Sequence, residues 1–333
     1  MAYQINKRIL VAKRETTPGT VAAPASADFD VRVRGIENNV PVIAQDDDSA
    51  KFATGDHGMS ASIPSIHEGA PPFFWKLSYS GAASTAPKWG KFAQMSGLLQ
   101  TTVGAVGVKW EDHPDADKQT GTVDVYDILI GADAGSQRTR FAGVMGNLVM
   151  SAEGVGSPIL CRFSPRGKWV TPNTAVAAAS IPVLTSADST AEERFIGCTI
   201  SIGGVAYKVS SFEFDLGADI QLLDGNESGN ESGIEYGYVA NRNGMRLSMN
   251  MRKLPVAVDD LLAKVKDGTI ISASIQTSNF TFKWPRLQVM APEDAALNGD
   301  VRHNTSFRPL RNGSADATVN AKSSFQLVQG SLT

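Results

Sequence analysis

The sequence predicts a mainly β protein made of two tandem β-sandwich or barrel domains, each with a short flanking α-helix, plus extended arms and long loops. Three observations predict it. A Gly opens an alternating run at Met59, Ala61 and Ile63, and again at Met245, Leu247, Met249 and Met251, which is the two-residue period of half-buried strands. Each run leads into a stretch entered through Pro (Pro71 and Pro72; Pro255) and stopped at Gly (Gly81; Gly268), the asymmetry of a short helix. Gly58 and Gly244 are 186 positions apart, as are Glu68 and Leu254, so both elements recur at one spacing and point to an internal duplication.

Taken in order, residues 1–28 read as an N-terminal arm, extended through Thr16, Thr17, Pro18, Gly19 and Pro24 and suited to being held by a neighbouring subunit. The first domain, 29–170, opens on a strand with Phe29, Val31 and Val33 on one face, followed by the polar loop 36–56 with Asp46, Asp47 and Asp48. Residues 82–120 are rich in Gly, Ser and Thr, carry Trp89, Phe92 and Trp110, lack a clear partner in the second copy and read as an insertion. Strands follow at 122–131, 141–152 and 157–163, closing at Pro165 and Gly167, and Pro172, Pro182 and an Ala run mark 171–190 as a linker. The second domain, 191–315, opens on a hairpin turning at Gly203 and Gly204, then a strand with Phe212 and Phe214. Its polar loop, 218–243, holds Asn226, Glu227, Asn230 and Glu231 in a tandem repeat. Strands at 270–276 and 280–287 and a closing run into Phe307 and Pro309, an echo of Phe163 and Pro165, complete it before a C-terminal arm, 316–333. Two loops of this length at matching points exceed ordinary connections, and loops that long are usually functional or disordered.

Composition narrows the function. With 333 residues the chain suits two ordinary domains, and its formal net charge of −3 argues against a phosphate-neutralising surface. Two cysteines, Cys161 and Cys198, without any CxxC, read as buried thiols in a reducing compartment. The first ten residues lack the apolar core of a signal peptide, and no run reaches the length of a membrane span. His57, His67, His113 and His303 have no His or Cys at ligand spacing, so no metal or other cofactor is expected. Residues 110–117 gather Glu111, Asp112, Asp115 and Asp117 about His113 and are the best acid–base candidate, yet polar loops reach that composition without catalysis. Asp46, Asp47 and Asp48 lack the spaced ligands of a calcium loop, and no nucleophile-elbow, zincin or phosphate-loop motif occurs. A duplicated β domain with projecting loops and no reactive constellation suits a self-assembling structural subunit, not an enzyme.

Several segments resemble the tail tube (major tail) proteins of long non-contractile-tailed bacteriophages. They are 10–20 (Leu-Val-Ala-Lys-Arg-Glu-Thr-Thr-Pro-Gly-Thr), 141–154 (Phe-Ala-Gly-Val-Met-Gly-Asn-Leu-Val-Met-Ser-Ala-Glu-Gly) and 162–167 (Arg-Phe-Ser-Pro-Arg-Gly), with Ile202-Gly203-Gly204 and 209–214 matching at the start of the second half. The resemblance implies two packed sheets with a flanking helix, one sheet joining its neighbours around a lumen, in stacked rings through which phage DNA passes without specific binding. It implies a virion tail protein assembled in the bacterial host cytoplasm, with self and other tail proteins such as tape measure, distal tail and terminator proteins as partners and no membrane. Six domains per ring would need three duplicated chains, a pseudo-sixfold trimer. The charged strand faces bearing Glu213, Asp215, Asp124 and Asp127 are candidates for the lumen, whose wall should repel phosphate, or else face outside water; Arg32 and Arg34 weigh against a uniformly negative wall. Alternatives are a ring-forming distal tail or terminator protein, or a carbohydrate-binding protein using Trp89, Trp110 and Trp169 as stacking platforms.

Overall fold

The computed structural model describes residues 5–36, 42–46, 63–104, 107–129, 136–183, 192–225, 233–290, 292–297 and 300–330. In the first half β1 (Ile5–Arg14), β2 (Val42–Asp46), β3 (Ile63–Gly69) and β4 (Phe73–Lys76) precede α1 (Gly90–Met95). Strands β5 (Leu98–Val103), β6 (Gly107–Asp112), β7 (Gly121–Leu129), β8 (Ser136–Ala152) and β9 (Leu160–Val176) follow. The second half has β10 (Thr199–Ile202), β11 (Val205–Ala206), β12 (Val209–Asp215), β13 (Asp219–Asp224), β14 (Ile234–Asn241) and β15 (Arg246–Arg252), then α2 (Leu261–Lys266). It ends with β16 (Ile270–Gln276), β17 (Phe280–Val289), β18 (Glu293–Leu297), β19 (Asp300–Pro309) and β20 (Gln326–Gly330). No helix among the described residues is long and apolar enough to cross a membrane.

The fold is mainly β, and its strands form two layers that, among the described residues, do not close into a barrel. One layer runs β4–β9–β8–β12–β15–β19. The other consists of β5–β6–β20–β17–β16–β10 and of β1–β7–β8. β8 and β9 serve both layers because their ladder is broken by a bulge between Ala142 and Met145, and a bulge bends a strand. Between the layers, Phe212 of β12 meets Phe282 of β17 with ring centroids 5.7 Å apart, and Phe214 meets Trp284 at 5.2 Å and Phe325 at 4.3 Å. In the first half Phe73 and Trp75 of β4 each lie 4.9 Å from Phe92 of α1. All these rings are buried, and burying each contributes about 2–3 kcal/mol.

Two joints fuse the halves. β12 pairs antiparallel with β8, from Phe212 opposite Ala152 to Asp215 opposite Val149. β20 inserts between β17 and β6, with Leu327 opposite both Phe282 and Trp110. The C-terminal arm of the sequence reading is therefore in part a strand shared by the two halves, and Phe325, Leu327 and Val328 are fully buried. The N-terminal arm likewise contains β1, which pairs along β7 of its own chain because Leu10 and Ala12 enter the main core while Ile9 and Val11 pack with Tyr126.

Other expectations change in informative ways. The stretch 68–81 is not helical: Phe73, Trp75 and Leu77 alternate into the core, and that period makes it β4. The first helix lies downstream, so α1 begins at Gly90 and α2 at Leu261, 171 positions apart and not 186. Residues 82–120 hold α1 and the β5–β6 hairpin; α1 is the counterpart of α2, whereas no hairpin separates α2 from β16. Trp89, Phe92 and Trp110 are core residues, so this stretch is built into the fold. β9 runs on to Val176, into the expected linker. Of the two long polar loops, the first contains β2, which pairs with β3 beyond it, and the second contains the β13–β14 pair. The turn at Gly203 and Gly204 joins β10 to β11, with φ of 60° and 80°, as the hairpin signal predicts.

Glu111 and Asp112 hold the C-terminal strand. Asp112 Oδ1 accepts the Ser324 and Phe325 N–H groups at 2.8 and 2.7 Å, and Glu111 Oε1 accepts Asn320 N–H and Gln326 Nε2, both at 2.9 Å. Burial pushes the Asp112 carboxyl up to about 7, with those two backbone donors and Arg242 acting in the opposite direction. A carboxyl whose folded pKa is raised stabilises the fold fully below its unfolded value, and that contribution fades as pH rises through the folded value. Wild-type stability from this source should therefore decline between about pH 4 and pH 7. Asp112→Asn, which keeps the acceptor oxygen, is expected to flatten that decline in thermal unfolding across the same range.

Candidate functional site: a polar sheet face shared by both halves

Alternation along the joined layer puts apolar side chains inward and a continuous polar face outward. On β12, Phe212 and Phe214 are buried while Ser211, Glu213 and Asp215 point away. On β15, Leu247, Met249 and Met251 are buried while Arg246, Ser248, Asn250 and Arg252 form the outer row. β19 repeats the pattern with Asn304, Ser306 and Arg308 outward, and Val149, Ser151 and Arg162 continue it across β8 and β9. These strands line a groove of about 980 Å3 that straddles the β8–β12 joint. Its charges balance: Glu153, Glu213 and Glu293 are set against Arg162, Arg246 and Arg308. Serine and asparagine link the rows, Arg246 donating to Ser306 Oγ at 2.6 Å and Asn250 donating to Asn304.

The structure divides the sequence candidates. Glu213 and Asp215 share the groove side of β12, and Asp215 works at the joint, accepting Asn147 Nδ2 at 2.7 Å and Gly217 N–H at 2.8 Å. Asp124 and Asp127 lie on β7, away from that face. Asp124 is fully buried and gripped by Arg140 through two bonds of 2.7 Å, and Asp127 is paired with Arg8 at 2.6 Å. Three positions apart with no bulge between them, the two point to opposite faces of β7, and each meets a guanidinium directly across a ladder, Arg140 of β8 and Arg8 of β1. Asp46 ends β2, while Asp47, Asp48, Asn226, Glu227, Asn230 and Glu231 lie outside the described residues. Sequence reasoning missed Arg162, Arg246, Arg308, Asn250 and Asn304; the signal was present in the polar half of the same alternation that marked the apolar half.

The motifs behind the family resemblance meet at one buried carboxylate. Glu15 Oε1 accepts Thr122 Oγ1 at 2.8 Å and Gly143 N–H at 2.9 Å, and Oε2 accepts Thr120 Oγ1 at 2.5 Å and Gly19 N–H at 2.9 Å. Gly143 stands in the β8 bulge at φ +60°, and the β13–β14 hairpin crosses directly over it: a Cβ there would come 2.7 Å from the Tyr236 Cα. That hairpin is tied to the first half by Val239 N–H to the Asp117 carbonyl at 3.0 Å, by Arg242 to Asp117, and by Arg166 to the Ile220 carbonyl at 3.1 Å.

Reactive chemistry finds little support in these positions. His113 caps a 3-10 turn by accepting Asp115 N–H, and its neighbours Glu111 and Asp112 hold the C-terminal strand. Trp89 and Trp110 are buried against each other at 5.0 Å, so two of the three proposed sugar platforms are core. Burial pushes the Cys161 thiol far up and that of Cys198 up to about 11, leaving neither as a thiolate at neutral pH. Among the described residues no group of three His, Cys, Asp or Glu side chains could hold a metal ion.

A family model described as phage tail tube protein matches residues 5–309, from the start of β1 to the end of β19. No curated protein matches the chain.

The matched span contains the Glu15 centre, whose loss should be costly. Glu15→Ala would leave two backbone N–H groups and two hydroxyls without their acceptor in a buried site, and should lower stability by about 3 kcal/mol or more in chemical denaturation. Gly143→Ala should cost about 2 kcal/mol through its backbone conformation and the collision with Tyr236.

Proposed function

This chain belongs to the phage tail tube protein family, and we propose that it is the repeating subunit of the tube, three copies forming a pseudo-sixfold ring and rings stacking into the conduit for DNA. One observation carries the proposal. The β8–β12 ladder joins two similarly ordered halves edge to edge in one sheet, the contact that ring neighbours would otherwise make between chains. With one such joint already inside each chain, three chains supply six units and need only three further joints to close.

In this reading the groove face lines the lumen, with Glu213 and Asp215 on it and buried Asp124 excluded. Balanced Glu and Arg with intervening Ser and Asn suit a wall along which DNA slides, since the groove lining carries no excess of positive charge to hold phosphate. The earlier expectation of a generally acidic wall gives way to one of near neutrality. The β2–β3 and β13–β14 hairpins carry contact with the adjacent ring, through Asp46 and through Asp47, Asp48, Asn226, Glu227, Asn230 and Glu231 beyond the described strands. The role is structural, in the virion tail, with the remaining tail proteins as partners and assembly in the host cytoplasm.

Negative-stain electron microscopy with light scattering of the purified chain tests this directly. Hollow tubes, or rings of three-chain mass with six lobes, are expected; a monomer at every concentration would contradict it. Glu213→Lys with Glu153→Lys, both exposed on the groove, should leave tubes intact but make them retain DNA at low salt and release it as salt rises, whereas wild-type tubes should not retain it.

A further inference from the structure

A second recess, of about 380 Å3, adjoins the groove and shares Asn243, Met245 and Arg308 with it. Four stretches of chain build it: 112–117 of the first half, 240–245 from the end of β14 to the start of β15, 308–311 at and after the end of β19, and 322–324 ahead of β20. Backbone bonds fix their relative positions. Asn312 and Gly313 N–H donate to the Ser323 and Ala321 carbonyls at 2.8 and 2.9 Å, which brings the stretch carrying Arg311 alongside the one carrying Lys322. Ser323 Oγ donates to the Asp112 carbonyl at 2.7 Å, and Val239 N–H to the Asp117 carbonyl at 3.0 Å. The recess is thus part of the seam between the halves and not the product of one loop.

Unlike the groove, its lining is out of balance in charge. Arg242, Arg308, Arg311 and Lys322 are set against two carboxylates, Asp112 and Asp117. Asp117 is paired with Arg242, which also donates to the Gly97 carbonyl at 2.9 Å and whose Nε is buried without an acceptor. Asp112 is buried, is occupied by the Ser324 and Phe325 N–H groups, and carries only part of a charge at neutral pH because burial raises it to about 7. Arg308, Arg311 and Lys322 are exposed, and among the described residues their side chains form no ion pair or hydrogen bond. Three unpaired cations around one concavity repel each other, and an anion seated among them would offset that repulsion.

We propose that this recess binds a small oxyanion, inorganic phosphate or a phosphate monoester, with Arg308, Arg311 and Lys322 as its ligands. Two guanidinium forks match the edges of a tetrahedral oxyanion, and the lysine adds a compact third charge. The ligand is a compact ion and not a nucleic-acid strand, because the adjoining groove has no excess of positive charge and so no cationic track leads a strand to the recess. Its ligands sit at the end of β19 and on the approach to β20, so the bound ion would tie the C-terminal strand to the second half and stabilise the folded chain.

Calorimetric titration of the full-length chain with sodium sulfate, an oxyanion of constant charge near neutral pH, tests the site at an ionic strength held with chloride. One sulfate per chain is expected, displaced by inorganic phosphate, and sulfate at about ten times its dissociation constant should raise the thermal midpoint by about 2–4 °C over chloride. Arg311→Gln with Lys322→Gln, which breaks no hydrogen bond, should weaken sulfate by about tenfold or more and remove the midpoint shift. Lys208→Gln with Lys266→Gln, two exposed cations elsewhere, removes the same charge and should leave both readouts intact. Arg308→Gln, on a separate strand, is an independent check and should weaken sulfate several-fold. No sulfate binding by the wild type, undiminished binding by the Arg311 and Lys322 variant or by the Arg308 variant, or equal losses in the Lys208 and Lys266 variant overturns the site. A short DNA duplex that displaces sulfate as well as inorganic phosphate does, at equal phosphate concentration, overturns the assignment to a small ion.

Discussion

A sheet edge presents a row of unpaired N–H and C=O groups, and a protein must close it, cover it or use it. In this chain the internal edges are closed by joining the halves twice, through β8–β12 in one layer and through β20 between β6 and β17 in the other. The rest of the architecture follows from those two ladders. They align the alternation of β8, β12, β15 and β19, so that one face becomes a shared apolar core and the other a continuous polar wall. Covalent linkage of the halves makes the first joint intramolecular, which holds its strands at an effective concentration no encounter between chains would reach.

The bend that lets β8 and β9 serve both layers depends on Glu15. Its carboxylate satisfies the Gly143 N–H inside the bulge and the Gly19 N–H in the turn after β1, so the N-terminal strand and the bend are fixed by one group. Gly143 admits the β13–β14 hairpin because it has no side chain, and the hairpin then locks the second half across the first. A buried charge is costly unless every oxygen is occupied, and here four donors occupy two oxygens.

Much of this was legible in the sequence, and the misses have physical causes. Period-two alternation located β7, β12, β15 and β16, and the Gly203–Gly204 turn was readable from conformation alone. The run after Pro71 and Pro72 looked helical by its punctuation, but Phe73, Trp75 and Leu77 alternate, and core burial decided for a strand. β1 and β20 resembled arms because their flanks are polar and rich in small residues; only the tertiary partners β7, β6 and β17 show them as core strands. Asp124 read as a solvent-facing charge because its partner, Arg140, is sixteen residues away and across a ladder. The wall itself was half visible: the apolar positions of β15 were read, while Arg246, Ser248 and Asn250 between them passed as mere solvent-facing filler.

Amide hydrogen exchange followed by mass spectrometry, on the chain before and after assembly, tests most directly whether one sheet continues through the chain and on into its neighbours. Peptides covering 149–152 and 212–215 are expected to be protected in both states, since their ladder is internal. Peptides covering β18, 293–297, which among the described residues pairs with β19 alone, should be partly protected in the unassembled chain and gain further protection only in rings or tubes. Equal exchange of β18 in both states, or loss of protection at 212–215 in the isolated chain, would contradict a wall built by continuing one sheet from half to half and from chain to chain.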